Sequence, residues 1–382
     1  MRVNTQLTVT IPPCLILRSG LIVFKQPEAS VKSPPFHLAD AMALEPSQPL
    51  VSVITPVYNG DRYLVECIES VLAQTYQNWE YIIVNNCSTD RTLDIANLYT
   101  ARDKRIQVVS CHTFVGVTEN HNRALRLLSP KSKYCKVVSA DDWIYPESLT
   151  ELVAVGEAYP SVGIVGSYTI TGKEVRWLGV PLQTRCIQGY DICRLYLNGR
   201  YTFGAPSALL YRASVVRETD PFFPGLGCSA DSAACLAVLR CWDFGFVHKI
   251  LSFERVHEGS ITSHLATRNS FLLDRIDFLL RYGQYFLSGA EQNERLDALL
   301  GEYYRYLAVA VVNFRERSFW DYHRTRLNEI GLTFSKRRMA KATVVKLLEL
   351  GLNFQQTACK VTRLFNRHAQ RPATNFAKGR VA

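Results

Sequence analysis

From residue 51 onward, apolar positions alternate between short continuous runs and helical spacing. Residues 51–55 form a β-rich run, and Leu64, Cys67, Ile68, Val71 and Leu72 then recur along one face of a helix. The pattern predicts a second strand over 81–84 and a second helix carrying Leu93, Ile95, Ala96 and Leu98. A third strand follows over 106–109, a third helix over 119–128 and a fourth strand over 134–138. Alternating strands and helices predict βαβ units, so the expected class is α/β, with a mainly parallel central sheet flanked by helices. Ligands of such sheets lie beyond the carboxyl ends of the strands, which directs attention to the loop after each one.

The two ends of the chain read differently. Residues 1–48 lack sustained periodicity and contain Pro12, Pro13, Pro27, Pro34, Pro35 and Pro46, which predicts a poorly ordered extension. Residues 265–382 read as a helical C-terminal region. Phe271, Leu272, Ile276, Leu279 and Leu280 repeat at helical spacing, as do Leu299, Leu300, Tyr303, Tyr304 and Leu307. No apolar run approaches the ~20 residues of a membrane-spanning helix.

Charge changes the picture once it is located. The chain of 382 residues carries +10, which invites a nucleic-acid reading. Residues 331–382 hold eleven basic residues and the single acid Glu349, leaving residues 1–330 at net zero. The basicity therefore belongs to the tail, and no nucleic-acid partner is expected. The tail continues as a basic amphipathic stretch, with Val344, Leu347, Leu348, Phe354 and Phe365 opposed to Lys346, Lys360, Arg363 and Arg367. Two readings stand: a helix docked on its own domain, or peripheral contact with an anionic membrane. The eleven cysteines are odd in number and lack paired C-x-x-C spacing. Cys67, Cys135, Cys235 and Cys241 sit in apolar runs, which predicts reduced core thiols and a cytoplasmic protein.

Three polar loops stand at the predicted strand ends: Thr55-Pro56-Val57-Tyr58-Asn59-Gly60, Asn85-Asn86-Cys87-Ser88-Thr89-Asp90, and Ser139-Ala140-Asp141-Asp142. The second has the residue types of a helix cap. In the third, two carboxylates follow a buried strand and repel each other unless a cation or solvent compensates, and oxygen ligation of a hard divalent metal meets that need.

VSVITPVYNG, NNCSTDRT and VSADDWIYPESL, in this order, resemble the inverting family 2 glycosyltransferases of GT-A fold. SADSAACLAVLRCWDFGFVHKILSFERVHEGSIT is similar to that family's second-half signature, an acidic residue opening a helix and a closing R-x-H-x-x-S-x-T. The resemblance spans 49–262, a little over half the chain. It implies a GT-A domain over 49–264, with a nucleotide-sugar half (49–150) and an acceptor half (151–264).

On that resemblance Pro56, Val57 and Tyr58 hold the base of a nucleotide-sugar donor, and Asn59 shapes the loop. The family's usual Asp-Asp-Gly-Ser is replaced by Asn85-Asn86-Cys87-Ser88, where the Asn86 carbonyl can still accept a uracil imide hydrogen. Ser139 stands where the family has the first acid of its metal motif and is expected to reach the ribose. Asp141 is expected to contact Mg²⁺ or Mn²⁺ at a thinner site than usual. Arg255 and His257 belong to a loop that closes over diphosphate or metal. Asp231, preceded by Ala230 where the family has Glu, matches the catalytic base, although capping of its helix is a competing reading. Tyr201 and Phe203 read as a sugar platform or as packing. The implied acceptor is a glycan or lipid-linked hydroxyl in the synthesis of a cell-surface or exported glycan. A nucleotidyltransferase is disfavoured because 54–61 lacks a glycine-rich basic loop, and the substituted acids leave open a non-catalytic nucleotide-binding relative.

Overall fold

A computed structural model describes residues 48–352, except 178, 202, 226–228 and 258–269. Residues 1–47 of the expected N-terminal extension, residues 353–382 of the basic tail, and Ser260 and Thr262 of the second-half signature lie outside the described residues.

The chain opens with β1 (Val51–Val57), α1 (Leu64–Leu72), β2 (Trp79–Asn85), α2 (Thr92–Arg102), β3 (Ile106–Ser110), α3 (Val117–Leu125) and β4 (Tyr134–Val137). These are the predicted elements, with ends shifted by a few residues. β2 and β3 pair in parallel, as do β1 and β2, and β1 and β4. β2 is apolar on both faces because helices cover both. Tyr81 and Ile83 join the core beneath α1 and α2, whereas Ile82 and Val84 join the core on the α3 side.

The remaining strands turn a parallel half-sheet into a mixed one. They are β5 (Trp143–Ile144), β6 (Val162–Thr171), β7 (Glu174–Arg176), β8 (Cys186–Ile187), β9 (Leu209–Arg212) and β10 (Asp243–Glu254), giving the order β3-β2-β1-β4-β9-β6-β10-β5. β9 inserts between β4 and β6 and runs antiparallel to both, while β10 is parallel to β6 and antiparallel to β5. The sheet is thus mainly parallel only as far as β4. Beyond it, α4 (Ser148–Ala158), α5 (Gly189–Leu197), α6 (Ala213–Arg217), α7 (Ala230–Val238) and a 3-10 turn, Pro206–Ala208, support the second half.

The C-terminal helices are α8 (Ser270–Phe286), α9 (Gly289–Val312), α10 (Arg317–Glu329) and α11 (Lys336–Leu352). Leu272, Leu273, Ile276 and Leu279 of α8 join the same apolar core as Leu236 of α7 and Phe244 of β10, so this region is packed into the sheet's second face. Tyr201 and Phe203 are in that core as well, which resolves them as packing. The eight described cysteines are free thiols; Cys67, Cys135, Cys193 and Cys235 are buried, but Cys241 is exposed, just beyond the end of α7. No described helix is long and apolar enough to cross a membrane.

Gly189 opens α5 against backbone, where an added Cβ would collide with the carbonyls of Leu239 and Trp242. Gly189→Ala is therefore expected to cost about 1–3 kcal/mol by overpacking. A urea unfolding midpoint equal to that of the wild type would contradict this packing.

Candidate active site

β4 delivers an acidic turn at the carboxyl edge of the sheet. Asp142 N–H donates to Ser139 O at 3.0 Å and closes it. The Asp142 carboxylate is 6% exposed. Its Oδ2 accepts from Ser207 Oγ at 2.6 Å, and its Oδ1 accepts from the Arg255 backbone N–H at 3.0 Å. Burial, then the charge of Asp141, pushes this carboxyl well above the usual carboxylate range. Asp141 keeps a third of its side chain exposed and sets Oδ2 3.0 Å from His257 Nε2. Arg255 donates from Nε to the Asp141 carbonyl at 3.1 Å and pairs through Nη2 with Glu66 at 2.6 Å, lying over the Tyr63 ring. Ser139 N–H donates to Ser207 Oγ at 3.0 Å, so the serine in place of an acid is tied into the same turn.

The first two loops lock onto each other. Pro56 and Val57 are buried within β1, and Val57 O accepts from Asn86 N–H at 2.8 Å. Asn59, at φ 50°, donates its N–H to Ser88 Oγ and accepts from Thr89 N–H at 2.8 Å. Asp90 accepts from Asp61 and Thr92 N–H, so it caps and ties. Asn86 uses both ends of its amide on one residue: Nδ2 donates to Val115 O at 2.8 Å and Oδ1 accepts from Val115 N–H at 3.1 Å. Tyr58 stays open at the edge, 48% exposed, with the 55%-exposed Phe114 ring 4.8 Å away in an edge contact.

Asp231 lies in the first turn of α7, with Ser229 at the cap position, and its own Oδ1 accepts from Ser232 N–H at 2.7 Å. Burial pushes its carboxyl up to about 6, helped by the charge of Asp274. A second carboxylate stands near it. Glu254 ends β10, where Thr171 Oγ1 donates to its Oε2 at 3.0 Å. Burial pushes Glu254 up to about 7, and the charge of Asp231 adds to the rise. Glu254 in turn adds to the elevation of Asp142. Burial is the main cause of each of these rises, with the charges of Asp141 and Glu254 adding to it at Asp142 and that of Asp231 at Glu254.

The structure thus gathers Asp141, Ser139, Arg255 and His257 about one turn, ties Asn59 and Asn86 into the loops beside Tyr58, and leaves Pro56 and Val57 inside the strand. Sequence reasoning missed Glu254, Phe114 and Lys136. A charge closing a β-run (Glu254) and a lysine inside an apolar strand (Lys136) were signals available to it; Phe114 had none. Among the described residues no group of three or more His, Cys, Asp or Glu could hold a metal ion. Asp141 with His257 fits the looser mode in which a divalent ion takes one or two protein ligands and the rest from substrate phosphate and water.

Residues 52–219 match the family profile described as Glycosyl transferase family 2. An uncharacterized glycosyltransferase of Haemophilus influenzae is 34% identical over 184 residues, covering 46% of this chain and 55% of that one. The putative teichuronic acid biosynthesis glycosyltransferase TuaG of Bacillus subtilis is 42% identical over 95 residues, covering 25% and 37%. The chain thus spans about half or less of the length of these relatives. Among solved structures, S. aureus TarS residues 1–349 in complex with UDP-GlcNAc has a TM-score of 0.57 at 18% identity, over 80% of this chain and 91% of that one, a likeness of fold.

The raised carboxyl of Asp231 has a consequence for stability. In the unfolded chain it ionises near its ordinary 3.8, in the folded chain near 6, so stability falls as pH rises through that window and stays lower above it. Asp231→Asn is expected to raise the thermal midpoint at pH 8, with the difference closing by about pH 4. A midpoint unchanged or lowered at pH 8 would contradict the assignment.

Proposed function

From the match of residues 52–219 to the Glycosyl transferase family 2 profile, we propose that the chain is a glycosyltransferase of this family that moves a sugar from a nucleotide-diphosphate donor to a hydroxyl acceptor, with inversion. The observation that carries this reading is the acidic turn after β4, where Asp141 lies 3.0 Å from His257 Nε2 and Asp142 is held by Ser207 and the Arg255 backbone. The donor lies across the strand ends, its base against Tyr58 and Phe114, in a cradle shaped by Val57, Asn59 and Asn86. Asp141 and His257 would hold Mg²⁺ or Mn²⁺, which would supply positive charge to offset that of the departing diphosphate. Arg255 fixes Asp141 through its carbonyl, and Ser139 forms the wall beside the ribose.

Asp231 takes the proton of the acceptor hydroxyl as that oxygen attacks the anomeric carbon. The new C–O bond forms as the bond to the diphosphate oxygen breaks, and the nucleoside diphosphate leaves. A carboxyl raised to about 6 suits this proton transfer, because it is ionised at neutral pH yet more basic than an ordinary aspartate. UDP-sugar is the donor class we assign, supported by fold likeness to a protein solved with UDP-GlcNAc, and the product a cell-surface polysaccharide, supported by the similarity to TuaG.

The acceptor is then a growing glycan or a lipid-linked one, which favours a membrane-adjacent enzyme. α11 supports that placement. Its Val344, Val345, Leu347, Leu348 and Leu352 are all exposed, as are Arg337 and Lys341, and the surrounding residues 331–382 carry a single acid. An anionic lipid surface matches both the aliphatic and the basic character.

Asp231→Asn and Asp141→Ala are each expected to lower sugar transfer by at least about 100-fold, following the usual worth of a general base and of metal assistance. Product formation from a panel of UDP-, GDP- and dTDP-sugars with Mn²⁺ measures this. Unchanged activity in both variants refutes the site, and no turnover by the wild type with any donor favours a non-catalytic nucleotide binder.

For the membrane, full-length protein is expected to sediment with vesicles containing phosphatidylglycerol and to remain free of pure phosphatidylcholine vesicles. Leu348→Ser with Leu352→Ser should reduce that sedimentation. Equal sedimentation of wild type and variant would remove α11 as the contact.

A further inference from the structure

Lys136 occupies a position that an aliphatic residue would fill at lower cost. It lies in the middle of β4, between the apolar Cys135 and Val137, and is completely buried. Withdrawing an ammonium group from water costs several kcal/mol unless it is compensated in place. Burial accordingly lowers its pKa to about 7, opposed by the nearby charge of Asp142.

The compensation is specific. Lys136 Nζ donates to the carbonyl of Ser207 at 2.6 Å and to that of Leu209 at 3.1 Å. Those carbonyls flank the junction of the 3-10 turn with β9, so the ammonium fixes the backbone that carries Ser207. The Ser207 hydroxyl, itself buried, then reaches the acidic turn twice, donating to Asp142 Oδ2 at 2.6 Å and accepting from Ser139 N–H at 3.0 Å. A continuous set of short hydrogen bonds therefore runs from the centre of the sheet to both ends of the turn that presents Asp141.

We propose that Lys136 is a positioning residue for the metal-binding turn: its buried ammonium clamps the Ser207 backbone, and Ser207 holds Ser139 and Asp142 so that Asp141 is presented to the cation of a nucleotide diphosphate. The inference rests on the metal-assisted reading above and deepens it. It also supplies a role for Ser139. In place of a carboxylate, this chain has a hydroxyl that joins the same set of contacts, its Oγ lying 3.3 Å from Ser207 Oγ. A rigid brace from beneath favours the geometry that Mg²⁺ and Mn²⁺ demand more strictly than larger ions do.

The test is calorimetric binding of UDP to the full chain, with and without Mn²⁺, for wild type, Lys136→Met, Ser207→Ala and the double variant. A merely structural role lowers the folded fraction and leaves the dissociation constants of the folded protein unchanged. A positioning role weakens Mn²⁺-dependent UDP binding by about tenfold, the worth of a charge-assisted hydrogen bond, and keeps Mn²⁺-free binding within about twofold. The double variant is expected to be no weaker than Ser207→Ala alone, because both act through one contact. Should Lys136→Met not fold, Ser207→Ala carries the test by itself.

Unchanged Mn²⁺ dependence in Ser207→Ala, or effects that simply multiply in the double variant, would overturn the inference. If Asp141→Ala loses the Mn²⁺ dependence while these variants keep it, the clamp alone fails. If the wild type shows no Mn²⁺ dependence, the metal-assisted reading fails and takes the clamp with it.

Discussion

The buried carboxylate of Asp142 is the contact on which the rest of the site depends. It accepts one hydrogen bond from Ser207, 65 positions on, and one from the backbone of Arg255, 113 positions on. Three segments that share no local sequence, the β4 turn, the 3-10 turn before β9, and the end of β10, meet on its two oxygens. A buried carboxylate left without such donors would be heavily penalised, so the position of each segment is set by the need to satisfy it. The mixed sheet follows the same geometry. With β9 inserted antiparallel beside β4, the 3-10 turn arrives at the carboxyl end of β4, where Asp142 needs it.

Satisfying Asp142 also organises the charges around it. Burial raises both Asp142 and Glu254, and the charges of Asp141 and Glu254 add to the rise at Asp142 as that of Asp231 does at Glu254. Concentrating carboxyl groups at one edge opposes folding at neutral pH, because every elevated group ionises more readily in the unfolded chain. The cost is tolerated where it yields a basic carboxylate in a partly dry site, the usual tension between stability and activity. Lys136 adds a buried group of its own, held by the carbonyls of Ser207 and Leu209, and it reaches the carboxyl cluster through Ser207 and not by direct ion pairing.

The first four strands and three helices were legible because their signal is local: an apolar run, then helical spacing, then a polar loop. β9 was not, since its place between β4 and β6 is set by tertiary pairing that Leu209–Arg212 alone does not show. Among the candidate site residues, Asp141, Asp231, Arg255 and His257 could be named because they fall in motifs with fixed spacing. Their contacts could not: nothing in the spacing shows that Arg255 spends its guanidinium on Glu66 and the Asp141 carbonyl. Glu254 and Lys136 show the converse limit. Lys136 interrupts an apolar strand and Glu254 closes one, where a period-two reading treats a charge as noise, and each gains meaning only when its partners from distant segments are known.

The asparagine pair at 85–86 gives the substituted motif a physical sense. A carboxylate can only accept, whereas an amide both donates and accepts. Asn86 uses both capacities on Val115, and Asn85 does the same in kind, donating to Ser110 and accepting from Ser88 N–H. An aspartate at 86 would set a carboxylate oxygen against the Val115 carbonyl. The exchange converts charged groups at the donor edge into braces for the loop carrying Phe114. On the proposed reading the base is then held more by the Tyr58 and Phe114 rings than by a charged hydrogen bond, which shifts recognition from the identity of the imide edge towards the shape of the ring. With Ser139 neutral, Asp142 buried and Asp90 committed to backbone N–H groups, Asp141 is the carboxylate of these three loops left to face a diphosphate, so the anion itself must complete the coordination of any metal bound there.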